Sequence, residues 1–208
     1  MSFFIKRAID VMVAGTGLLV LAPVLAAVAV AVRLSMGAPV LFLQVRPGIG
    51  GKPFVLRKFR TMTSERDAAC NLLPDDRRLT WLGKILRKTS LDEIPQLFNV
   101  LLGNMSLVGP RPLLLEHVPL FTPQQRRRLE VKPGITGWAQ INGRHNIPFS
   151  KRIELDIWYI DHMSLGLDLK ILLLTVPKTL LSRGVNLTES DDEVVDIGIQ
   201  LGRDSERI

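Results

Sequence analysis

Cysteine is almost missing from this chain: Cys70 is the only one in 208 residues. An intramolecular disulfide is thereby excluded, as is a zinc centre built on a cysteine cluster, and a reducing, cytoplasmic setting is compatible. Acids are missing over a long stretch, with none between Asp10 and Glu65. Aromatics amount to 6%. None interleaves with the run Arg126, Arg127 and Arg128, so that run reads as a solvated face and not as a stacking platform for nucleic acid. No nucleic-acid partner is expected, and no internal repeat is present.

What is abundant is apolar. The chain is 47% hydrophobic with a mean hydropathy of +0.21, yet 23% charged. That pairing points to one concentrated membrane segment on an otherwise polar body. The segment is residues 11–32, 22 uncharged and mostly apolar positions, long enough to cross a bilayer as a helix. It is too long for a signal-peptide core and ends in arginine. Lys6 and Arg7 precede it; Arg33, Arg46, Lys52, Arg57, Lys58 and Arg60 follow it. The positive-inside rule wants both ends on the cytoplasmic side, which a straight span cannot satisfy. Pro23, near the middle, removes one helical hydrogen bond and can bend the segment. The expectation is a re-entrant helix bent at Pro23, with an ordinary single span as the alternative.

The formal charge of +7 is unevenly spread. Residues 185–208 hold seven acids and two bases, a net of −5, so the first 184 residues carry about +12. A basic body suits anionic lipid, phosphorylated substrates or nucleic acid. The acidic tail is expected to be disordered. Three parts result: 1–35 as the membrane helix, 36–184 as the main domain, and 185–208 as the tail.

Residues 39–62 predict a β-hairpin, with PGIGG as the turn. At the end of its second strand Lys58 and Arg60 share one face, a basic pair suited to a phosphate or an anionic headgroup. Residues 63–75 read as a polar, mobile connection. Residues 77–88 form a basic amphipathic pattern with Trp81, suited to the membrane interface or to packing on the core. TPQQRRRLE (122–130) predicts a helix opening at Thr122 with proline first. Amphipathic helices are predicted over 149–163 and 165–182, the second bent near Pro177 and stopped by Gly184. The fold class expected is α+β: a mostly helical single domain with a small hairpin, the re-entrant helix and amphipathic interfacial helices.

The chemistry concentrates in RKTSLDEIPQLFNVLLGNMSLVGPRP (87–112). Ser90 and Glu93 have capping-box spacing, but Pro95 favours Asp92 as the N-cap. Either start puts Asp92 and Glu93 at the positive end of a helix, where ionised carboxylates are favoured. Gly103 is the expected stop. Arg87 and Lys88 precede the acids, and Arg111 is held between two prolines on a stiffened backbone. Carboxylates flanked by phosphate-binding cations suggest a metal site or a nucleophile for phosphoryl transfer.

The runs KFRTM (58–62), RKTSLDEIPQLFNVLLGNMSLVGPRP (87–112) and KPGITGWAQINGR (132–144) resemble the bacterial sugar transferase family, the monotopic phosphoglycosyl transferases acting on polyprenyl phosphate. The similarity extends from Lys6 to about Leu181, at the length of the family's minimal catalytic unit. The resemblance implies transfer of a sugar-1-phosphate from a nucleotide diphosphate sugar, most often a UDP-sugar, to polyprenyl (undecaprenyl) phosphate. UMP is released, and the work is done at the cytoplasmic face of the bacterial inner membrane. It implies Asp92 as nucleophile, forming a covalent phosphosugar intermediate, and Mg²⁺ with Glu93 as its ligand, an acid/base role for Glu93 remaining open. Arg87 and Arg111 are the expected phosphate clamps, with Lys58 and Arg60 as further contacts. The 132–146 loop is implied in the nucleotide-sugar pocket, with Arg144 as anion contact. One departure concerns the bend: relatives often carry serine before this proline, where Ala22 stands here. A non-enzymatic membrane module binding anionic lipid or a partner is the alternative, although it gives no reason for the Asp92-Glu93 pair. The sugar and the oligomeric state are not encoded in any recognisable motif.

Overall fold

The computed structural model describes residues 2–143 and 147–181. Helix α1, Phe3–Met36, runs for 34 residues and is unbroken through Pro23. At 1.5 Å per residue it is about 50 Å long. Among the described residues it is the one helix long and apolar enough to cross a membrane. One face of its first turns nonetheless carries buried polar residues, Lys6 and Asp10. Lys6 Nζ donates to Asp168 at 2.6 Å and to the Val108 carbonyl at 3.1 Å. Arg7 donates to the carbonyls of Val100 and Leu101, and Asp10 Oδ1 accepts the Leu107 N–H. At the other end Val32 is buried with Phe59 and Leu86.

The predicted hairpin is present. Strand β1, Leu41–Pro47, pairs antiparallel with β2, Pro53–Phe59. The turn holds Gly50 and Gly51 at φ 64° and 77°, a left-handed conformation that favours glycine. The connection to the next helix is not an open tether: Asp67 Oδ1 accepts the N–H groups of Ala69 and Asn71 and folds it into a turn.

The single helix expected over 77–88 is in fact two, α2 (Asp75–Arg78) and α3 (Trp81–Thr89). Leu79 between them is buried in an extended conformation bridged to Met62, and Thr80 Oγ1 accepts the Gly83 N–H to cap α3. On α3, Leu86 is buried whereas Trp81 is 77% exposed.

Ser90 then turns the chain in a left-handed conformation (φ 56°) into a 3-10 turn, Leu91–Glu93. Helix α4, Gln96–Leu101, opens only after Pro95. The expected helix start at Ser90 or Asp92 is therefore corrected: Ser90 makes no side-chain cap, and both acids precede the helix. Gly103, at φ 84°, ends it as expected. α4 packs along α1, where a Cβ on Gly17 would stand 3.3 Å from Leu97.

A second small sheet had no recognisable pattern. β3, Ser106–Val108, pairs parallel with β4, Gly134–Thr136. A Cβ on Gly134 would lie 2.1 Å from the Gly109 nitrogen, so the approach requires glycine. Helix α5, Pro123–Arg126, opens on a Thr122–Gln125 capping box and continues as the 3-10 turn Arg127–Leu129. Helices α6 (Trp138–Ile141), α7 (Phe149–Asp161) and α8 (Leu165–Leu181) complete the order. The main core joins Ala14 of α1 to Val100, Met105, Val108, Tyr159 and Ile171, and a separate cluster joins Phe149, Ile153 and Ile157 to Leu113. The architecture is mostly helical α+β, as expected. Gly184 and the acidic tail lie outside the described residues.

Candidate active site

Lys58 leaves the end of β2, Asp92 and Glu93 sit on the 3-10 turn after α3, and Arg111 follows β3. These elements meet at a cavity of about 770 Å³. Glu93 Oε1 accepts from Lys58 Nζ at 3.1 Å and from Arg111 Nη2 at 2.9 Å. Burial disfavours the Glu93 charge, but Arg111 and Lys58 outweigh it and hold the carboxyl down at about 2.

Asp92, only 8% exposed, behaves oppositely. Burial, and then the neighbouring Glu93 carboxylate, push it up to about 6 against Lys58, Arg87 and Arg111. The expectation that a helix N-terminus dominates this site is thus corrected: α4 starts three residues after Glu93, and desolvation is the larger effect. Two adjacent carboxyls are held apart in acidity, one a fixed anion and the other ionised only above about pH 6.

Arg87 donates from Nε to Thr61 Oγ1 at 3.1 Å and faces the same cavity. Arg60 also lines it, but its donors go to the carbonyls of Met62, Met36 and Ala38 and to Ser64 Oγ. It ties the end of α1 to the hairpin. Thus Lys58, Arg87, Asp92, Glu93 and Arg111 come together as a tight group, Arg60 stands at their edge engaged with backbone, and Pro23 sits within α1. Arg144 lies outside the described residues.

The reading of Arg126 to Arg128 as a solvated face is overturned at one position. Arg127 pairs with Asp161 at the surface, but Arg128 is 5% exposed. Its Nη2 donates to Asp156 and, at 3.1 Å, to the carbonyl of Arg111. Burial pushes the Asp156 carboxyl up, against the pull of Arg128. One signal for this pair was present: Asp156 falls among Phe149, Ile153 and Ile157 on the buried stripe of α7, where an acid needs a partner. Gln140, on α6, lines the same part of the cavity. A Cβ on Gly137 would stand 2.2 Å from the Gly109 carbonyl oxygen and 2.6 Å from Gln140 Oε1, so the close backbone approach beside Gln140 requires glycine.

A buried aspartate and a half-buried glutamate framed by three cations in one cavity suit a protein that handles phosphorylated ligands. The profile of the family described as bacterial sugar transferase matches residues 1–182, and the chain belongs to that family. It is 64% identical over 157 residues to the sugar transferase EpsL of Bacillus subtilis (strain 168), covering 76% of this chain and 78% of that protein. It is 45% identical over 188 residues to the UDP-glucose:undecaprenyl-phosphate glucose-1-phosphate transferase of Escherichia coli (strain K12), covering 84% of this chain and 40% of that one. The galactosyl transferase CpsE of Streptococcus agalactiae serotype III (strain NEM316) is 40% identical over 193 residues, 86% of this chain and 43% of that protein. The chain thus spans less than half of the length of the latter two relatives. Membership makes the protein an enzyme, a sugar transferase, and the non-catalytic alternative falls away.

Proposed function

We propose that the enzyme transfers a hexose-1-phosphate from a UDP-sugar to undecaprenyl phosphate through a covalent acyl phosphate on Asp92, releasing UMP. The observation that carries this reading is the divided carboxyl pair: Glu93 is pinned by Lys58 and Arg111, while the buried Asp92 beside it carries no ion pair of its own among the described residues. A carboxylate that is desolvated but still ionised at neutral pH is a stronger nucleophile than one in water.

Asp92 attacks the β-phosphorus, the bond to the bridging oxygen breaks, and UMP leaves with the electron pair. An oxygen of the acceptor phosphate then attacks the same phosphorus, and Asp92 departs as a carboxylate. Arg87, Arg111 and Lys58 face the oxygens on which charge accumulates. Glu93, held at about 2, stays ionised throughout and so cannot serve as a proton donor, which favours its role as a metal ligand. The donor set suits Mg²⁺. Among the described residues no third acid, histidine or cysteine joins the two carboxylates, so the remaining positions would fall to substrate phosphate oxygens and water. When bound, the ion would screen the pyrophosphate charge against an anionic nucleophile.

A membrane-held acceptor suits α1. Lys6, Arg7 and Asp10 near its start and Val32 near its end pack on the same body. In a straight crossing those ends would stand about 40 Å apart on opposite faces of the bilayer. Their shared attachment, with bases flanking both ends, supports a helix that stays on the cytoplasmic side of the inner membrane and does not cross it, although no break in the helix occurs at Pro23. The decisive assay is UMP release from UDP-sugars with Mg²⁺, with and without undecaprenyl phosphate. One equivalent per enzyme without acceptor, absent in Asp92→Asn, is expected. Release that strictly requires the acceptor would refute the covalent route.

A further inference from the structure

Beyond the dyad, the cavity wall holds polar groups that the mechanism leaves unused. Arg128 is fixed by Asp156 and the Arg111 carbonyl through Nη2, yet its Nη1 is buried with no hydrogen-bond partner. Gln140 donates from Nε2 to the Ile135 carbonyl at 3.4 Å, while its Oε1 is likewise buried and unpartnered. Both side chains line the same cavity as Asp92. An unpaired buried donor and an unpaired buried acceptor each carry a desolvation cost that a ligand can relieve. The Arg128 charge is met by Asp156, on which Arg152 also acts, and an unpaired N–H donor near an unpaired amide acceptor suits a ligand that offers both an acceptor and a donor, as sugar hydroxyls do.

The chemistry of the double displacement says which part of the donor belongs here, on the reading given above. UMP leaves from the position opposite Asp92, and the lipid phosphate enters at that same position. That side of the phosphorus must open to the membrane, whereas the sugar stays in place through both steps. The cavity has a matching polarity. Phe59 packs with α1 residues, and Leu97 approaches α1 at Gly17. The Arg128–Asp156 end is backed by Phe149 and Ile153, in a cluster that contains no residue of α1.

We propose that Arg128, locked by Asp156, and Gln140 form the sugar subsite, binding hydroxyls of the donor hexose and setting which sugar is accepted. The test uses the full chain in detergent, with kcat/KM for UMP release measured for UDP-glucose, UDP-galactose and their N-acetyl counterparts. Inhibition by UDP, which lacks the sugar, is measured in parallel. Gln140→Met keeps the side-chain length without the acceptor, and Gln140→Ala guards against a misfit of either replacement. Both are expected to lower kcat/KM for the preferred sugar about tenfold or more and to flatten the ratio between the glucose and galactose donors. Inhibition by UDP should stay within about twofold of wild type, because only hydrogen bonds to the sugar are lost. Equal weakening of UDP inhibition would make this the nucleoside subsite and overturn the proposal. Unchanged kcat/KM and sugar ratios would overturn it too. Absence of UMP release by the wild-type protein with every donor would overturn the parent reading and this assignment with it.

Discussion

The acidity of Asp92 gives the site a pH signature. Its carboxyl is pushed up to about 6, chiefly by burial and then by Glu93. If the carboxylate is the nucleophile, the second-order rate constant of the single-turnover UMP burst falls to half its plateau near pH 6 and then about tenfold for each further unit. Glu93, held at about 2, does not titrate in that range. Omitting the acceptor keeps the ionisation of its phosphate out of the profile, and the pyrophosphate diester of the donor does not titrate there either. Lys58 is one of the cations that oppose the upward shift, so Lys58→Met should move the limb higher, by about one pH unit for a charge this close. Its loss will also lower the plateau, but the midpoint is read independently of amplitude. Quenched-flow measurement of UMP between pH 4.5 and 8, values chosen to span about two units either side of the midpoint, supplies both curves. A wild-type limb near the ordinary aspartate value of about 4, or a midpoint unmoved in Lys58→Met, would refute the reasoning.

The same shift has a stability counterpart. A carboxyl raised on folding favours its protonated form in the native state, so Asp92 destabilises the fold above about pH 6 and ceases to do so as pH falls towards 4, its ordinary range. Glu93 does the reverse: it stabilises above its ordinary value, and that is lost as pH falls towards about 2. Asp92→Asn should accordingly raise Tm at pH 7.5 by roughly 3–8 °C while abolishing turnover, and a lowered Tm would contradict this. Arg128→Met strands the Asp156 carboxylate and should cost about 3–5 kcal/mol by denaturant titration, with Arg128→Met/Asp156→Leu recovering much of it. Gly83→Ala would place a Cβ 1.9 Å from the Thr61 carbonyl oxygen. Because Thr61 also holds Arg87, that change should lower both Tm and activity, by about 1–3 kcal/mol in stability. In a Cys70→Ser background, Ala8→Cys and Leu34→Cys should both react with an impermeant maleimide from the cytoplasmic side; reaction from opposite sides would restore the straight span.

How much of this was legible depends on sequence distance. The hairpin could be read because PGIGG and the flanking β-rich runs are local, and the capping box at Thr122 because a proline and a glutamine follow at fixed offsets. Asp92, Glu93, Arg87 and Arg111 stood within one stretch of sequence. The left-handed Ser90 and the late start of α4 were harder, because Ser90-x-x-Glu93 mimics a capping box while Lys58 and Arg111 draw the glutamate away. Arg128 looked like a surface charge because Asp156 lies 28 positions further on, and Lys6 meets Asp168 across 162 positions. No local propensity reports such pairs. An acid set into an apolar helical stripe does, as Asp156 shows.

The buried foot of α1 changes what this apolar helix is. Lys6 and the Tyr159 hydroxyl share the Asp168 carboxylate, Asp10 closes the Leu107 N–H, and Ala14 fills a fully buried place in the main core. Without those residues a carboxylate loses its cation, a backbone donor is orphaned and the core is left with a hole. Helix α1 and the body that carries the site are therefore not exchangeable parts. An unrelated apolar helix grafted in place of α1 would supply none of these contacts and should leave the body unable to fold, so the helix is as much a structural member of the enzyme as the elements that line its cavity.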